Sequence, residues 1–402
     1  MMENILNSDR LNSVESIYLD YQATTPVDPL VVEEMLPWLT EKFGNAHSSQ
    51  HVFGIEAEAA VERARAKVAA SIHATPSEII FTSGATESNN LAIKGAARFA
   101  LRHKAGNHII ILETEHKCVL ESCSSLESEG INTTALKVGK DGLVNLKELE
   151  DAITEDTILI SIMAVNNEIG VIHPLSEIGL MCRDRSILFH TDGAQAVGKI
   201  PINVDEMFVD LMSVSGHKLY APKGIGVLYV RRRPRARLMA EISGGGQERG
   251  MRSGTLPVPL IVALGKACEI ASLGMDKESK RLETLRDSFL AKLKKNIPDV
   301  AVNGSMSHRI SGNLNITFPG VPSSSLIKSL TDVAISNGSA CSSASSEPSY
   351  VLRALGITKE LAACSVRIGF GRFTNEQEIE FALKRITEEV LLIRTNHEAA
   401  AE

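Results

Sequence analysis

Short apolar runs alternate with helix-length segments from about residue 27 to residue 270, and this alternation constrains the fold more than any other feature of the sequence. Spacing of this kind is typical of a largely parallel sheet covered by helices. The runs span Glu78–Phe81, His108–Leu112, Thr157–Val165, Ser186–His190, Leu211–Val214 and Gly226–Val230. We therefore expect an α/β fold. The last two runs are close together, which is compatible with one antiparallel strand.

The length of the chain, 402 residues, is too great for one simple core, so two domains are expected. The character of the sequence changes after Met275, where a charged helix and short strands replace the alternation. This change predicts a smaller α+β domain. The other predicted elements are helices at 28–39, 55–71, 277–293 and 376–394 and strands at 314–318 and 366–369.

The charge balance argues against nucleic acid or an anionic membrane as the main partner. There are 42 basic and 49 acidic residues, a formal net charge of −7, and a phosphate-rich surface would not attract such a chain. No segment is expected to provide the ~20 apolar residues that span a bilayer, and the polar start does not resemble a signal peptide. The six cysteines form no C-x-x-C pair, so neither a metal site nor a disulfide scaffold is predicted. We expect a cytoplasmic protein.

The strongest candidate for chemistry is the segment Ser215–Lys218, which follows an apolar run. A lysine at a strand end can be held in a pocket, where its neutral amine could form a Schiff base with an aldehyde. Asp192 follows another run and could pair with a protonated pyridine nitrogen, and Gln195 could donate to a phenolic oxygen. Alone, each has a simpler interpretation: an exposed loop lysine, a turn or N-cap aspartate, and a solvent-facing glutamine.

Two further segments could bind an anion. Ser83–Glu87 follows a predicted strand and opens a helix, where backbone N–H groups point at a bound anion. Gly244–Gly246 precedes Arg249, Arg252 and Thr255, and could clamp an anion or order a subunit contact. Short Gly-Ala turns and glycine runs are also common in ordinary loops, so neither segment is decisive.

Three side chains stand out by their surroundings. His116 follows a strand and could stack on an aromatic cofactor or move protons, or it could be an ordinary hydrogen-bonded histidine. Cys341 lies among small polar residues in what we expect to be a mobile surface loop, where a thiol is best explained by reactivity, with an incidental surface thiol as the alternative. Arg367, in an apolar strand, could bind a substrate carboxylate or form a structural salt bridge. Cys118 and Cys123 are interpreted as structural.

Together these segments resemble the aminotransferase class V family and, within it, the cysteine desulfurases of the NifS/IscS type. The resemblance extends from Tyr18–Pro26 to Gly371–Thr374, and its most specific segments are Ser213–Lys218, Arg249–Thr255 and the cysteine segment ending in Glu347–Leu352. It implies the pyridoxal-phosphate-dependent transferase fold (fold type I), with a mainly parallel seven-stranded sheet. The implied domains are a large one at 28–273 and a small α+β one at 274–402 that carries the catalytic cysteine loop. The N-terminal segment 1–27 would pack with the small domain.

The resemblance also implies roles around the pyridoxal ring. Lys218 would carry pyridoxal 5′-phosphate, with His116 stacked over the ring and Asp192 on the pyridine nitrogen. Gln195 would contact the phenolic oxygen. The phosphate would be held by Ala85, Thr86, Ser215 and His217, with Thr255 reaching the phosphate bound by the other subunit of a homodimer.

The implied reaction converts L-cysteine to L-alanine. Asn167, at the cofactor, and Arg367 would orient the substrate carboxylate, and Cys341 would receive the sulfur as a persulfide. The long cysteine loop resembles the group that passes persulfide directly to iron–sulfur scaffold and sulfur-carrier proteins, for cluster assembly or tRNA thiolation. Two alternatives remain: another class V reaction such as amino transfer, in which a loop cysteine has no part, and a non-catalytic docking protein with the same fold.

Overall fold

The computed structural model describes residues 16–337 and 348–401, and the side chains of these residues as far as 396. The helices are α1 (Pro29–Met35), α2 (Pro37–Thr40), α3 (Val52–Ser71), α4 (Ala85–His103), α5 (Lys117–Glu127), α6 (Leu146–Asp151), α7 (Leu175–Asp184), α8 (Val258–Asn296), α9 (Ser323–Ser329), α10 (Tyr350–Ala354), α11 (Lys359–Ala363) and α12 (Glu376–Ala401). The strands are β1 (Ile17–Tyr18), β2 (Ile79–Thr82), β3 (His108–Leu112), β4 (Asn132–Leu136), β5 (Thr157–Ser161), β6 (Leu188–Asp192), β7 (Leu211–Ser215), β8 (Gly226–Val230), β9 (Ala301–Val302), β10 (Asn313–Thr317), β11 (Val333–Ala334) and β12 (Ser365–Gly369).

A seven-stranded sheet forms the centre of the larger part of the chain, in the order β2-β8-β7-β6-β5-β3-β4. All neighbours pair in parallel except β8, which is antiparallel to both β2 and β7. The expected α/β sheet is thus confirmed, and so is an antiparallel strand in the closely spaced pair. The sequence did not reveal β4, because this edge strand of polar and half-exposed residues pairs only with β3.

Both faces of the sheet are covered, which explains why its strands are continuous apolar runs. Ile110 and Leu112 of β3 join one core with residues of α3, α7 and α8. Ile109 and Ile111, the alternate positions, join a second core with residues of α4 and α5. The carboxyl ends of the parallel strands therefore meet at one edge between two helical layers, where polar side chains can converge.

A third core lies around the antiparallel sheet β12-β10-β9. It contains residues of α12, of α9 and of the C-terminal half of α8, together with Leu19. The short pair β1–β11 brings the N-terminal segment to this core. Helix α8 runs through positions 273 and 274, where the sequence predicts the domain boundary, so one continuous helix belongs both to this core and to the core that contains Ile110 and Leu112.

Helix α8 also differs from its prediction, since it begins at Val258 rather than at Lys277. By length and composition alone, its first part is apolar enough to cross a membrane, with a mean hydropathy of 1.6. The expectation that no segment is long and apolar enough to span a bilayer is therefore wrong. Half of that stretch is buried, and Ile261 and Leu264 lie in the same core as residues of α3. The helix therefore has the character of a core helix of the fold.

The predicted helix 28–39 is divided in two at Pro37. Proline lacks the N–H that would continue the hydrogen-bond ladder of α1. The predicted helix 55–71 begins earlier, at Val52, because the His51 side chain accepts a hydrogen bond from Gly54 N and caps the helix.

Candidate active site

One cavity of about 350 Å³ opens at the carboxyl-terminal edge of the central sheet. It brings together most of the side chains that the sequence singled out. The predicted residues that line it are Ala85, Thr86, His116, Asn167, Asp192, Gln195, Ser215, His217, Lys218 and Arg367. Thr255 is exposed and does not line this cavity, and Cys341 lies outside the described residues. Among the described residues, no cluster of His, Cys, Asp and Glu could hold a metal ion.

Lys218 enters the cavity from the short 3-10 turn that follows β7. Its Nζ donates to the backbone carbonyls of Gln22 at 2.5 Å and Ala23 at 2.7 Å. Gln195 Nε2 donates to the same Gln22 carbonyl at 2.9 Å. The half-buried lysine is thus held by backbone far away in sequence, a contact that only the folded chain shows.

Asp192, the last residue of β6, is 5% exposed at the wall of the cavity. Its Oδ1 accepts from Ala194 N at 2.9 Å and its Oδ2 accepts from Asn89 Nδ2 at 2.7 Å. Asn89 lies on α4, and no feature of the sequence identified it. The two donors fix a buried carboxylate at the cavity wall, where it could pair with a protonated ring nitrogen.

The N-terminus of α4 forms an anion cradle at the wall of the cavity. Its N-cap residue, Gly84, provides no side-chain cap, and a Cβ placed there would contact nothing within 4 Å. The amides of Ala85 and Thr86 therefore lie in an uncapped first turn at the cavity wall. Burial, assisted by the nearby Lys218, lowers the pKa of His217 to about 4. A neutral imidazole there can still donate one hydrogen bond to a phosphate.

His116 is the N-cap residue of α5 and lines the cavity. Its Nδ1 accepts from Cys118 N at 3.2 Å and lies 3.0 Å from Cys118 Sγ. Cys118 therefore belongs to the wall of the site as well as to the packing, which the structural interpretation from sequence did not anticipate. Cys123 is buried at 1% exposure, and burial raises the pKa of its thiol to about 12, as expected for a structural cysteine.

Arg367 lies in β12 and reaches the cavity with 2% of its surface exposed. One guanidinium nitrogen donates to Asp20 Oδ1 at 2.6 Å and another to the Asn167 carbonyl at 3.0 Å. The structure thus combines both interpretations of this arginine, since it forms a salt bridge and also lines the site. The side-chain Oδ1 of Asn167 is buried without a hydrogen-bond partner, as expected of a group that awaits a ligand.

The residues that flank the cysteine segment are anchored beside the site. Ser336 exchanges two backbone hydrogen bonds with Arg367, and its hydroxyl donates to Asp20 Oδ1 at 3.1 Å. On the other flank, the Ser349 hydroxyl donates to Glu168 Oε2 at 2.5 Å. Tyr350, which lines the cavity, donates from its hydroxyl to the Glu115 carbonyl at 2.6 Å. The sequence offered no signal for these anchors.

The chemistry of this cavity fits the cofactor that the resemblance implies. An uncapped helix start suits a phosphate, a buried carboxylate suits a protonated pyridine, and an amine lies in the same space. Each group comes from a different segment of the chain.

Comparison with known proteins gives the same family. The family model for aminotransferase class-V matches residues 17–381. The cysteine desulfurase IscS of Rickettsia akari is 57% identical over 389 residues, which cover 97% of this chain and 94% of the relative. A solved NifS-like protein superposes with a TM-score of 0.87 at 36% identity, covering 94% of this chain and all of the other. The solved SspA in complex with cysteine has a TM-score of 0.78 at 41% identity, covering 88% and 99%.

Proposed function

The chain belongs to the aminotransferase class V family and acts as a pyridoxal-phosphate-dependent cysteine desulfurase, and on this premise we propose which residues perform the reaction. The observation that carries the assignment is the convergence of Lys218, Asp192 and the uncapped start of α4 on one cavity. Lys218 and Arg367 line this same cavity, so the proposed cofactor and substrate groups would share one site.

Four groups of residues would hold the cofactor. Lys218 would bind its aldehyde carbon and Asp192 its pyridine nitrogen, while His116 would cover the ring and Gln195 would donate to the phenolic oxygen. The phosphate would be held by Ala85, Thr86, Ser215 and His217. Asn167 would contact the cofactor with its side chain, whose Oδ1 has no hydrogen-bond partner among the described residues of the protein. When bound, the cofactor supplies an electron sink for negative charge at the substrate Cα.

The side chains of this protein position L-cysteine and move its protons. Arg367 would bind the substrate carboxylate through the guanidinium edge that lines the cavity, while Asp20 keeps the other side of the guanidinium in place. The Lys218 amine would be the base that removes the Cα proton. Its two carbonyl partners keep Nζ at the cavity wall instead of in solvent.

The sulfur would leave on Cys341. The thiolate of Cys341 attacks the sulfur of the substrate, so that an S–S bond forms while the Cβ–S bond breaks. The electron pair of the broken bond stays with Cβ, which takes up a proton, and the product is alanine. Both sulfur atoms are oxidised and the carbon is reduced, so no external oxidant is needed. A reductant or an acceptor thiol then regenerates the enzyme.

This assignment is tested with L-cysteine and dithiothreitol, by following alanine, sulfide and the visible absorption of the bound cofactor. The Cys341→Ser variant should retain the visible band but lose sulfide release, whereas Lys218→Ala should lose the band. Cys364→Ser, at a half-buried cysteine outside the cavity, is the matched control and should be fully active. Sulfide release from Cys341→Ser at the wild-type rate would exclude Cys341 as the acceptor. Formation of a keto acid instead of alanine would favour amino transfer.

We also propose that the active unit is a homodimer. Phe43, Val52 and Phe53 are 69%, 60% and 49% exposed, and the two phenylalanine rings stack at 5.7 Å. An exposed apolar group of this kind is typical of a contact surface. Thr255, exposed in this protomer, would reach the phosphate of the partner subunit. Phe43→Asp should lower the dimer fraction in sedimentation velocity, and an unchanged sedimentation coefficient would exclude this surface.

The acceptor of the sulfur would be an iron–sulfur scaffold or a sulfur-carrier protein in the cytoplasm, with neither nucleic acid nor membrane as a direct partner. The net charge of −7 supports the last point. Transfer of labelled sulfur from loaded enzyme to a purified scaffold or carrier, absent with Cys341→Ser, is the test. Transfer only to small thiols would count against a protein acceptor.

A further inference from the structure

Lys199 lies behind Gln195, between the cofactor cavity and a second, smaller cavity. Its Nζ donates to Gln195 Oε1 at 2.7 Å, and Gln195 itself is only 3% exposed. Lys199 also lines the smaller cavity of about 40 Å³, together with Gln22 and Glu278. The function proposed above gives this lysine no role.

The two contacts of the Gln195 amide define which end faces which neighbour. An ammonium or amine Nζ can donate, so the atom of Gln195 that faces Lys199 is the oxygen. A backbone carbonyl can only accept, so the atom that faces Gln22 O, 2.9 Å away, is the amide nitrogen. The two contacts therefore require the same orientation of the amide. Its NH₂ donates to the Gln22 carbonyl, which also accepts a hydrogen bond from Lys218 Nζ.

On the basis of the proposed function, we propose that Lys199 is a positioning residue, which holds Gln195 with its amide NH₂ directed toward the phenolic oxygen of the cofactor. Without Lys199, Gln195 Oε1 would be a buried acceptor without a donor, and such a group is unfavourable. The amide would then reorient, and its donation to the cofactor would be lost.

The electrostatic surroundings of Lys199 are compatible with this role. Burial and the neighbouring Lys218 lower the pKa of Lys199 to about 7, Arg367 adds to the lowering, and Glu278 opposes it. Lys199 therefore changes its charge near neutral pH. A neutral amine still carries N–H groups, so the hydrogen bond to Gln195 persists in both states.

The test is a pH titration of the visible absorption of the cofactor-loaded enzyme. Lys199→Met should move the midpoint of the visible transition upward by about 0.5–1 pH unit, because the phenolic oxygen loses a hydrogen-bond donor. In a Gln195→Met background, the same replacement should add no shift, since Lys199 acts through Gln195. Lys199→Arg, which has the smaller cavity as extra space, should restore most of the wild-type midpoint.

The control is Lys147→Met, which removes an exposed lysine from its ion pair with Asp151 and should leave the midpoint unchanged. An equal shift with and without Gln195 would overturn the proposal, because Lys199 would then act directly by its charge. An unchanged midpoint in Lys199→Met would also overturn it. Should that variant fail to fold, as judged by circular dichroism, Lys199→Ala, which also removes the donor, should give the same upward shift in the same titration. A wild-type protein without any visible band would instead refute the proposed cofactor site.

Discussion

The buried ion pair between Arg65 and Glu248 gives the sharpest prediction for stability. The two guanidinium N–H groups of Arg65 donate to the two carboxylate oxygens of Glu248 at 2.8 and 2.7 Å, in the bidentate geometry. Arg65 is 3% exposed and Glu248 6%. Glu248 also accepts from Phe81 N at 2.7 Å, and Arg65 donates to the Ile79 carbonyl at 2.9 Å. The pair therefore fastens the segment around residue 248 to α3 and β2.

Replacement of Glu248 by Ala removes the buried carboxylate partner of Arg65 and leaves only the exposed Glu62 carboxylate, 2.9 Å from Arg65 Nε. This loss costs about 3–5 kcal/mol in the free energy of unfolding. The Phe81 N–H also loses its acceptor, and an unpaired buried N–H adds about 1–3 kcal/mol. Glu248 and Arg249 have φ values of +47° and +59°, in the left-handed region. Alanine also has a Cβ, so the replacement returns no free energy from this strain, and we expect a net loss of about 4–8 kcal/mol.

The assay is urea unfolding of the apoprotein, followed both by far-ultraviolet circular dichroism and by the fluorescence of Trp38, the single tryptophan. Coincidence of the two curves establishes whether one free energy describes the transition. Asp151→Ala is the matched control, since it removes an exposed partner of Lys147 and should cost less than about 0.5 kcal/mol. The reasoning is refuted if Glu248→Ala costs no more than this control.

Three other replacements have definite expectations. Asp192→Asn should lower the rate of alanine formation about 10²–10³-fold, by analogy with the removal of one preorganised electrostatic group; a rate within tenfold of wild type would separate Asp192 from the chemistry. Ser349→Ala removes the N-cap of α10, so we expect about 1 kcal/mol lower stability in urea and slower sulfide release, while cofactor binding is unchanged; a wild-type rate of release would show that this anchor is dispensable. Burial lowers the pKa of His173 to about 4, from 6.5 in the unfolded chain, so its contribution to stability is present above pH 6.5 and is lost as the pH falls toward 4. His173→Leu should reduce this loss by up to about 1.4 kcal/mol per pH unit. The prediction is contradicted if the urea midpoint falls by the same amount between pH 7.5 and pH 5 in the variant and in the wild type.

The sequence revealed the sheet and several residues of the cavity for the same physical reason. Strands covered on both faces are continuous apolar runs, and a polar residue that follows such a run lies at the strand's carboxyl end. Asp192 and Lys218 were found in this way, because each ends or follows a buried strand. The edge strand β4 lacks that double burial, and its polar composition gives no comparable signal.

The groups that the sequence did not reveal act through long-range contacts. Asp20 meets Arg367 across 347 positions, and the Gln22 carbonyl meets Lys218 across 196. No local pattern encodes such pairs, and a backbone carbonyl carries no sequence information at all. Lys199 is a different case, since it lies four positions after Gln195. The sequence shows that spacing, but only the structure shows that Gln195 is buried and therefore depends on the hydrogen bond from Lys199.

The anchors on either side of Cys341 limit where its sulfur can travel. Ser336 is tied to Arg367 and Asp20, and Cys341 follows it by five residues. An extended chain covers at most ~3.6 Å per residue, so the Cα of Cys341 stays within about 18 Å of Ser336. Ser336 is hydrogen-bonded to Arg367, the arginine that we propose binds the substrate carboxylate. If Cys341 carries the persulfide, as we propose, an acceptor protein must present its own thiol within about this distance of Ser336.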